Sequence, residues 1–204
     1  SAAVIMSVNN SLVCQLIENF GTEKQKKKFL TKLASGEWLG AFSLSEPQSG
    51  SDASNMRTFA KKEDDHYIIN GTKNWVTNGI SSDIVLLMCL TEKDVGYNGI
   101  STFIIEKGTK GFSTGKKEDK LGIRGSDTCE LYFDNCKVSE DNRLGDEGKG
   151  FKIALGTLDG GRIGIATQAL GIAKESLEKS VSYANQREQF GKKIGKFGAI
   201  RSKI

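Results

Sequence analysis

The sequence has few of the residues that build metal sites and hydrolytic centres. It holds one histidine, His66, and four cysteines whose spacing matches no metal-binding pattern: Cys14, Cys89, Cys129 and Cys136. A zinc site needs several converging histidine or cysteine ligands, so no metal site is predicted. His66 follows Asp64 and Asp65 at a predicted hairpin turn, and a triad built on Ser45 would lack its histidine base. The cysteines are predicted to be buried free thiols in a reducing compartment.

Long charged and apolar runs are also absent. No block of like charge exceeds Lys26-Lys27-Lys28, and the net charge is only +4. A nucleic-acid binder usually presents a clustered basic face with interleaved aromatics, so no nucleic-acid partner is predicted. No apolar run reaches the length of a membrane helix, so no membrane span is predicted.

The only proline, Pro47, lies in a segment rich in short hydroxyl side chains, Leu44–Asp52. A second unusual segment, Asn74–Gly79, follows about one hairpin later and contains Trp75. Each segment combines an apolar or aromatic surface with hydroxyl groups, which suits a flat ring with polar edges. Taken alone, Trp75 would more often be a core aromatic and Ser51 a turn residue.

The order helix, strands, helix predicts an α+β fold with segregated elements. Residues 1–37 have a helical pattern, residues 38–145 contain short strands separated by glycine-rich or charged turns, and residues 146–204 are helical again. The strand pattern favours a barrel or a sandwich of antiparallel strands. These three ranges are the predicted domains.

Local signals predict individual elements. Thr22 and Gln25 have the spacing of a capping box, and Gly36 suits the end of the same helical segment. Asn70-Gly71 is typical of a tight hairpin turn, which predicts a strand before it and a returning strand over residues 73–77. Further strands are predicted over Ile84–Leu90, Thr102–Glu106 and Glu130–Phe133.

The last helical pattern runs from Phe151 to about Asn185 and contains Gly160-Gly161. Each glycine costs roughly 1 kcal/mol in a helix interior relative to alanine. The pair therefore indicates either the close approach of another backbone or a ligand, or a break between two helices.

Five motifs, in family order, closely resemble the acyl-CoA dehydrogenase family. They are Ser45-Glu46-Pro47 with Gly50-Ser51-Asp52, Tyr67–Gly79, Leu121–Thr128, Leu158–Ile163 and Arg187–Gly191. The resemblance extends across nearly the whole chain and implies a helical N-terminal part, a central antiparallel β-barrel and a truncated C-terminal helical bundle. It also implies that the chain corresponds to the middle half of such a protein.

The resemblance implies FAD as the cofactor and assigns residues to it. The matching positions are Phe42, Leu44, Ser45, Ser51, Trp75, Val76, Thr77 and Arg187. In the family, the arginine matched by Arg187 reaches the FAD pyrophosphate of a neighbouring subunit, which implies a homo-oligomer, namely a tetramer built as a dimer of dimers. Without the resemblance, Arg187 would be a residue on a solvated helix face.

The positions that contact acyl-CoA in the family are matched by Ser51, Asp159, Gly160, Gly161 and Arg162. The guanidinium of Arg162 suits a phosphate or the adenine of coenzyme A. On sequence alone, a surface salt bridge explains Arg162 equally well.

The activity that the resemblance implies is FAD-dependent oxidation of the Cα–Cβ bond of a short, straight acyl-CoA, as in the butyryl-CoA type. Electrons would pass to an electron-transferring flavoprotein, in the bacterial cytoplasm or the mitochondrial matrix. The catalytic glutamate is expected beyond Ile204, so no catalytic residue is predicted within the chain, and the chain alone is expected to be inactive. Some branched-chain members carry the base at the position of Gly161, and Gly198 replaces a glutamine that often helps to hold the cofactor diphosphate.

Two alternatives remain open at this point. The first is an acyl-CoA oxidase or nitroalkane oxidase relative, which would differ in how fast its reduced flavin reacts with oxygen. The second is a non-catalytic scaffold that binds flavin or coenzyme A.

Overall fold

A computed structural model describes all residues from Ser1 to Ile204 and confirms the α+β class. The α-helices are α1 Ala2–Ser7, α2 Gln15–Phe20, α3 Glu23–Gln25, α4 Thr31–Ser35, α5 Gly150–Gln186 and α6 Gly198–Arg201. The π-helical segments Val8–Cys14 and Lys26–Leu30 connect α1 to α2 and α3 to α4. The chain forms two compact units, Ser1–Arg162 and Ile163–Ile204. The domain boundaries at residues 37 and 145 stay predictions.

The predicted capping box is confirmed at the start of α3. The Thr22 hydroxyl accepts a hydrogen bond from the Gln25 backbone at 3.2 Å, and the Gln25 side chain accepts one from the Thr22 backbone at 2.9 Å. The side-chain amide of Gln25 also donates to the carbonyl oxygens of Asp141 and Arg143, at 2.8 Å each. Gly36 ends α4 with φ +78°, as predicted.

Eight strands form one sheet, and two short strands form a separate hairpin in the second unit. They are β1 Gly40–Ser43, β2 Phe59–Glu63, β3 His66–Thr77, β4 Ile84–Leu90, β5 Ile100–Glu106, β6 Phe112–Thr114, β7 Thr128–Ser139, β8 Arg143–Leu144, β9 Glu188–Gln189 and β10 Lys192–Lys193. The predicted strand at β4 is confirmed with its bounds, and those at β5 and β7 are confirmed as parts of longer strands.

The strand order of the large sheet is β6-β7-β3-β2-β4-β5-β8, with β1 also paired to β4. The prediction that all strands are antiparallel is wrong, because β1 and β2 both pair with β4 in parallel. The sheet curves strongly, since the rings of Tyr67 on β3 and Phe103 on β5 lie 4.8 Å apart although two strands separate β3 from β5. The end strands β6 and β8 do not pair with each other, so the predicted closed barrel is not confirmed.

Side chains of β4 alternate between two apolar cores, as the two-residue period of a strand requires. Val85, Leu87 and Cys89 join a cluster formed by the strands themselves. Residues 84, 86 and 88 join a second cluster with the N-terminal helical segments and the first turn of α5. Both faces of β4 are therefore buried, which explains its continuous apolar sequence.

The predicted hairpin turn at Asn70-Gly71 is wrong. Strand β3 continues through it without a turn, and the hairpin between β2 and β3 turns instead at Asp64 and Asp65, beside His66. Gly71 has φ +150°, and a Cβ added there would lie 2.6 Å from the Cα of Thr58. The glycine therefore permits close approach of the backbone at Thr58, which the sequence pattern could not distinguish from a turn.

The glycine pair in α5 does not break the helix. The helix runs without interruption from Gly150 to Gln186. A Cβ added at Gly161 would lie 2.9 Å from the Leu12 side chain, and one added at Gly160 would lie 3.4 Å from the Gln15 side chain. The pair therefore permits close approach of the N-terminal helical segment, and the alternative of two helices is wrong.

A buried ion pair ties the loop between β1 and β2 to strand β3. Lys73 Nζ lies 2.8 Å from Glu46 Oε1, and the two side chains are 0% and 2% exposed. Lys73 Nζ also donates to the carbonyl oxygen of Leu44 at 2.8 Å. The Glu46 carboxylate accepts hydrogen bonds from the backbone N–H of Arg57 at 2.6 Å and of Thr58 at 3.0 Å. One carboxylate therefore joins both ends of the loop to one lysine.

Strand β3 carries a bulge directly after this lysine. On β3 the pairing moves from Lys73 to Val76, whereas on β7 it moves only from Leu131 to Cys129. The extra residue on β3 disrupts the ladder locally, which is how bulges re-aim side chains. Trp75 lies within the bulge and has φ +59°.

We predict that Gly71→Ala lowers the free energy of unfolding by about 2 kcal/mol or more, because the added methyl group meets the Thr58 backbone at a positive φ. Gly156→Ala is the matched control, since nothing lies within 4 Å of a Cβ at this position in α5. The control should leave stability unchanged or raise it by about 0.5–1 kcal/mol. Urea unfolding followed by circular dichroism measures both changes. Equal effects of the two substitutions would contradict the assigned role of Gly71.

We also predict a specific loss of stability in acid. Burial raises the pKa of Glu46, but the charge and hydrogen bond of Lys73 and the hydrogen bonds from Thr58 and Arg57 outweigh burial and hold this pKa below its ordinary value of 4.5. The ion pair therefore contributes its full stabilisation above pH 4.5 and loses it as pH falls through the lower folded-state pKa.

Glu46→Gln should lower the free energy of unfolding by about 3 kcal/mol at neutral pH, because it leaves a buried cation unpaired. The difference between wild type and variant should shrink as pH falls below 4.5. Urea unfolding at a series of pH values measures it, with the exposed Glu23→Gln as the control for losing one carboxylate. A difference that does not change with pH would show that the carboxylate charge of Glu46 does not stabilise the fold.

Candidate functional site

One cavity of the first unit, of about 430 Å³, lies between the loop after β1, the bulge of β3, the N-terminal helical segment and the start of α5. This volume falls within the range of small-molecule sites. The lining residues are Val8, Leu12, Phe42, Leu44, Ser45, Gly50, Ser51, Ala53, Asn74, Trp75, Thr77, Leu155, Leu158 and Arg162. Both unusual segments of the sequence therefore meet at one cavity.

Trp75 gives the cavity an exposed aromatic wall. Its side chain is 63% exposed, so the expectation of a core tryptophan from the residue type alone is wrong. A left-handed φ is a genuine outlier for a bulky residue and costs about 1–3 kcal/mol. The backbone N–H of Trp75 donates to the Asn74 side chain at 3.0 Å, and the N–H of Asn74 donates to the Ser45 carbonyl at 2.8 Å. The second bond holds the strained bulge against the loop, and the first lies within the bulge.

The rest of the lining is amphipathic. Phe42 and Leu44 are half-buried and add apolar surface beside the indole. Ser45, Ser51 and Thr77 add hydroxyl groups, each able to donate and accept a hydrogen bond. An aromatic plane bordered by donors and acceptors can hold a flat heteroaromatic ring by stacking and by hydrogen bonds to its edge. This donor set fits the isoalloxazine ring of FAD.

Two of the predicted cofactor residues do not line this cavity. The Val76 side chain is 1% exposed and belongs to the core of the sheet, because it points to the opposite face from Thr77. Arg187 is exposed in the second unit, directly after α5. Its backbone N–H donates to the Tyr183 carbonyl, and its carbonyl accepts from the Ile194 N–H, at 2.9 Å each.

The predicted substrate residues divide in the same way. Ser51 and Arg162 line the cavity. Asp159 does not line it but forms an exposed ion pair with Arg162, one helical turn away on α5. Gly160 and Gly161 face the N-terminal helical segment instead of the cavity. Arg162 therefore both forms a surface salt bridge and lines the cavity, so the two interpretations of this residue are compatible.

Several lining residues were not among the predicted site residues. Gly50, Asn74 and Leu158 lie inside quoted motifs, so the motifs themselves carried that signal. Three further apolar residues lie on helices, where a cavity-lining residue cannot be distinguished from a core residue by periodicity; they are Val8, Leu12 and Leu155. The buried Lys73 does not line the cavity, and its role was missed because a lysine in a strand is almost always solvent-exposed.

The four cysteines are free, and three are buried as predicted, whereas Cys14 is only half-buried; none lines the cavity. Burial raises the pKa of Cys89 to about 12 and those of Cys129 and Cys136 to about 11. Thiols with such pKa values are not nucleophiles at neutral pH. His66 contacts Asp65 at the hairpin turn and also lies outside the cavity. No helix has both the length and the apolar character needed to cross a bilayer.

Comparison with known sequences agrees with the family that the five motifs resemble. Sequence models for the acyl-CoA dehydrogenase N-terminal, middle and C-terminal domains match residues 1–37, 41–136 and 148–204 in turn. A short-chain specific acyl-CoA dehydrogenase from Megasphaera elsdenii is 53% identical over 203 residues, which are 99% of this chain and 53% of that protein. The chain therefore spans about half the length of the curated relatives it matches.

Solved structures show the same likeness in three dimensions. Butyryl-CoA dehydrogenase from Megasphaera elsdenii has a TM-score of 0.94 at 53% identity, over 98% of this chain and 52% of that chain. A chain in a structure described as the electron transferring flavoprotein of Acidaminococcus fermentans has a TM-score of 0.95 at 50% identity, over 98% of this chain and 52% of that chain. A glutaryl-CoA dehydrogenase from Mycobacterium smegmatis in complex with FADH2 has a TM-score of 0.90 at 35% identity, over 98% of this chain and 50% of that chain. The chain belongs to the acyl-CoA dehydrogenase family.

Proposed function

We propose that the chain forms part of an enzyme that oxidises a short-chain acyl-CoA to the trans-2-enoyl-CoA with FAD, and that the cavity beside Trp75 holds the flavin ring. The observation that carries this proposal is the exposed indole in a strained bulge, next to the hydroxyls of Ser45 and Thr77. Strain of this kind persists where the surrounding structure over-determines it, and it clusters at ligand sites. The likeness to butyryl-CoA dehydrogenase supports short substrates.

The residues of this chain would bind and orient rather than react. Bound FAD would supply the hydride acceptor for the oxidation. Trp75, Phe42 and Leu44 would exclude water from one face of the ring, while Ser45 and Thr77 would hydrogen-bond its polar edge. The backbone of Val76 would contact the ring in the same region.

The acyl-CoA would be oriented by Ser51 and by Arg162, whose guanidinium suits phosphate. Asp159 would hold the Arg162 side chain in place through the observed ion pair. Gly160 and Gly161 would act indirectly, by letting this part of α5 pack closely against the N-terminal helical segment that also lines the cavity. Gly161 also leaves no carboxylate at the position that some branched-chain members use for their base.

No residue that lines the cavity is Asp, Glu, His or Lys. The cavity therefore presents binding groups without a general base. This supports the proposal that the base is a glutamate beyond Ile204 and that these 204 residues alone do not turn over substrate. The same observation favours the second candidate, a non-catalytic scaffold that binds flavin or coenzyme A.

The partners and the location are also proposals. The likeness to a chain in the Acidaminococcus fermentans structure supports an electron-transferring flavoprotein as the electron acceptor. Arg187, exposed in the second unit, would reach the FAD of another subunit in a homotetramer built as a dimer of dimers. We propose the bacterial cytoplasm or the mitochondrial matrix as the location.

We predict that Trp75→Ala weakens FAD binding about tenfold or more, because a stacking wall of the site is removed. Stability should change little, since the side chain is exposed. The control is Tyr97→Ala, which removes another exposed aromatic residue that does not line the cavity. Flavin fluorescence titration gives the dissociation constants, and urea unfolding checks the fold. Unchanged FAD affinity in Trp75→Ala would reject the proposed ring site.

We predict that Arg162→Met weakens binding of butyryl-CoA to the FAD-loaded protein by about fivefold to tenfold, as expected for the loss of one charge-assisted hydrogen bond. Butyryl-pantetheine lacks the nucleotide phosphates, so its affinity should not change. Lys152→Met is the control, because it removes an exposed positive charge from the same helix. Isothermal titration calorimetry measures the affinity of the wild type and of both variants for each thioester. An equal loss for both thioesters would show that Arg162 does not recognise the nucleotide part.

A further inference from the structure

We propose that Glu46 and Lys73 are a positioning pair, which sets where Trp75 stands relative to the loop hydroxyls of the flavin site. Neither residue lines the cavity. The inference rests on the proposed function for its ligand, but the geometry that carries it is independent of FAD. It assigns a role to two buried ionisable groups that otherwise have none in the proposed reaction.

The loop side of the pair is held by the Glu46 carboxylate. Besides Lys73, it accepts hydrogen bonds from the backbone N–H groups of Arg57 and Thr58 and from the Gln48 side chain at 2.7 Å. The backbone of Glu46 also pairs with Ser49 through two hydrogen bonds of 2.9 and 3.0 Å. The loop from Leu44 to Thr58, which carries Ser45 and Ser51, is therefore closed around one carboxylate.

The bulge side of the pair is held by Lys73, two residues before Trp75. Its ammonium group contacts both Glu46 and the Leu44 carbonyl, at 2.8 Å each. The next residue, Asn74, donates its N–H to the Ser45 carbonyl at 2.8 Å. Three hydrogen bonds therefore join the loop and the bulge at the positions flanking Ser45 and Trp75, and displacing the pair would move both walls of the cavity.

Directional hydrogen bonds explain why this position is charged. Replacing a buried ion pair with well-packed apolar residues is often neutral or stabilising, so the pair is weak evidence for stability alone. An apolar contact would not specify the angle between loop and bulge, whereas the carboxylate and the ammonium each hydrogen-bond several groups at once. We therefore assign to this pair the placement of the loop relative to the bulge.

The test uses the fact that the sequence contains only two tryptophans, Trp38 and Trp75. In a Trp38→Phe background, the fluorescence anisotropy of the protein reports on Trp75 alone. Glu46→Gln is introduced into this background. The matched control is Gln25→Ala, because Gln25 is also buried and also fastens a loop, but lies outside the cavity. Urea unfolding shows how far each variant is destabilised.

Glu46→Gln is expected to raise the mobility of Trp75 and so lower its anisotropy. It is also expected to raise the FAD dissociation constant about tenfold, as for the loss of a residue that orients ligand-contacting groups. Gln25→Ala is expected to lose stability with both quantities unchanged. Glu46→Asp keeps the charge and shortens the side chain by one methylene, so it carries the test if Glu46→Gln does not fold. Its expected changes are in the same direction and smaller.

Two results would overturn the inference: wild-type anisotropy and FAD affinity in the folded Glu46 variants, or equal changes in the Gln25→Ala control. Failure of the proposed function is distinguishable from both. A wild-type protein that binds no FAD would reject the flavin site, while the anisotropy of Trp75 would still decide whether the pair positions this side chain.

Discussion

The buried ion pair between Glu46 and Lys73 is the interaction on which the site depends. Removing two charges from water costs several kcal/mol per ion, and this cost is recovered only when the geometry is good and the remaining hydrogen-bonding capacity is satisfied. Here the carboxylate receives bonds from one ammonium, two backbone N–H groups and one side-chain amide. The loop after β1 and the bulge of β3 are consequently held as one body, and every predicted flavin residue that lines the cavity lies on it or on β1 just before it.

The strained backbone at Trp75 follows from this arrangement. A tryptophan in the left-handed region is unfavourable by itself. The bulge that contains it is fixed on one side by the bond from Asn74 to Ser45 and on the other by the β3–β7 ladder. The result is an aromatic plane presented outward beside hydroxyl groups. The residues that line the cavity include no Asp, Glu, His or Lys, which fits the proposed role in recognition and orientation.

Sequence reasoning succeeded where one physical cause determined a pattern. The capping box at Thr22 and the doubly buried strand β4 are local or fully apolar signals, and the family resemblance assigned seven of the residues that line the cavity. It failed where one residue type serves two purposes. Gly71 allows close approach to Thr58 instead of a turn, and the exposure of Trp75 depends on a bulge that only the pairing with β7 creates. The role of Lys73 could not be predicted, because its partner lies 27 positions away in the chain.

The central claim is that the loop and the bulge form one wall of a flavin site. A crystal structure of the protein with bound FAD tests it most directly. The account predicts the isoalloxazine ring in van der Waals contact with the Trp75 indole, with its polar edge hydrogen-bonded to Ser45 or Thr77 and the Glu46–Lys73 pair intact. A flavin ring bound elsewhere, or a Trp75 side chain turned away from it, would contradict the account.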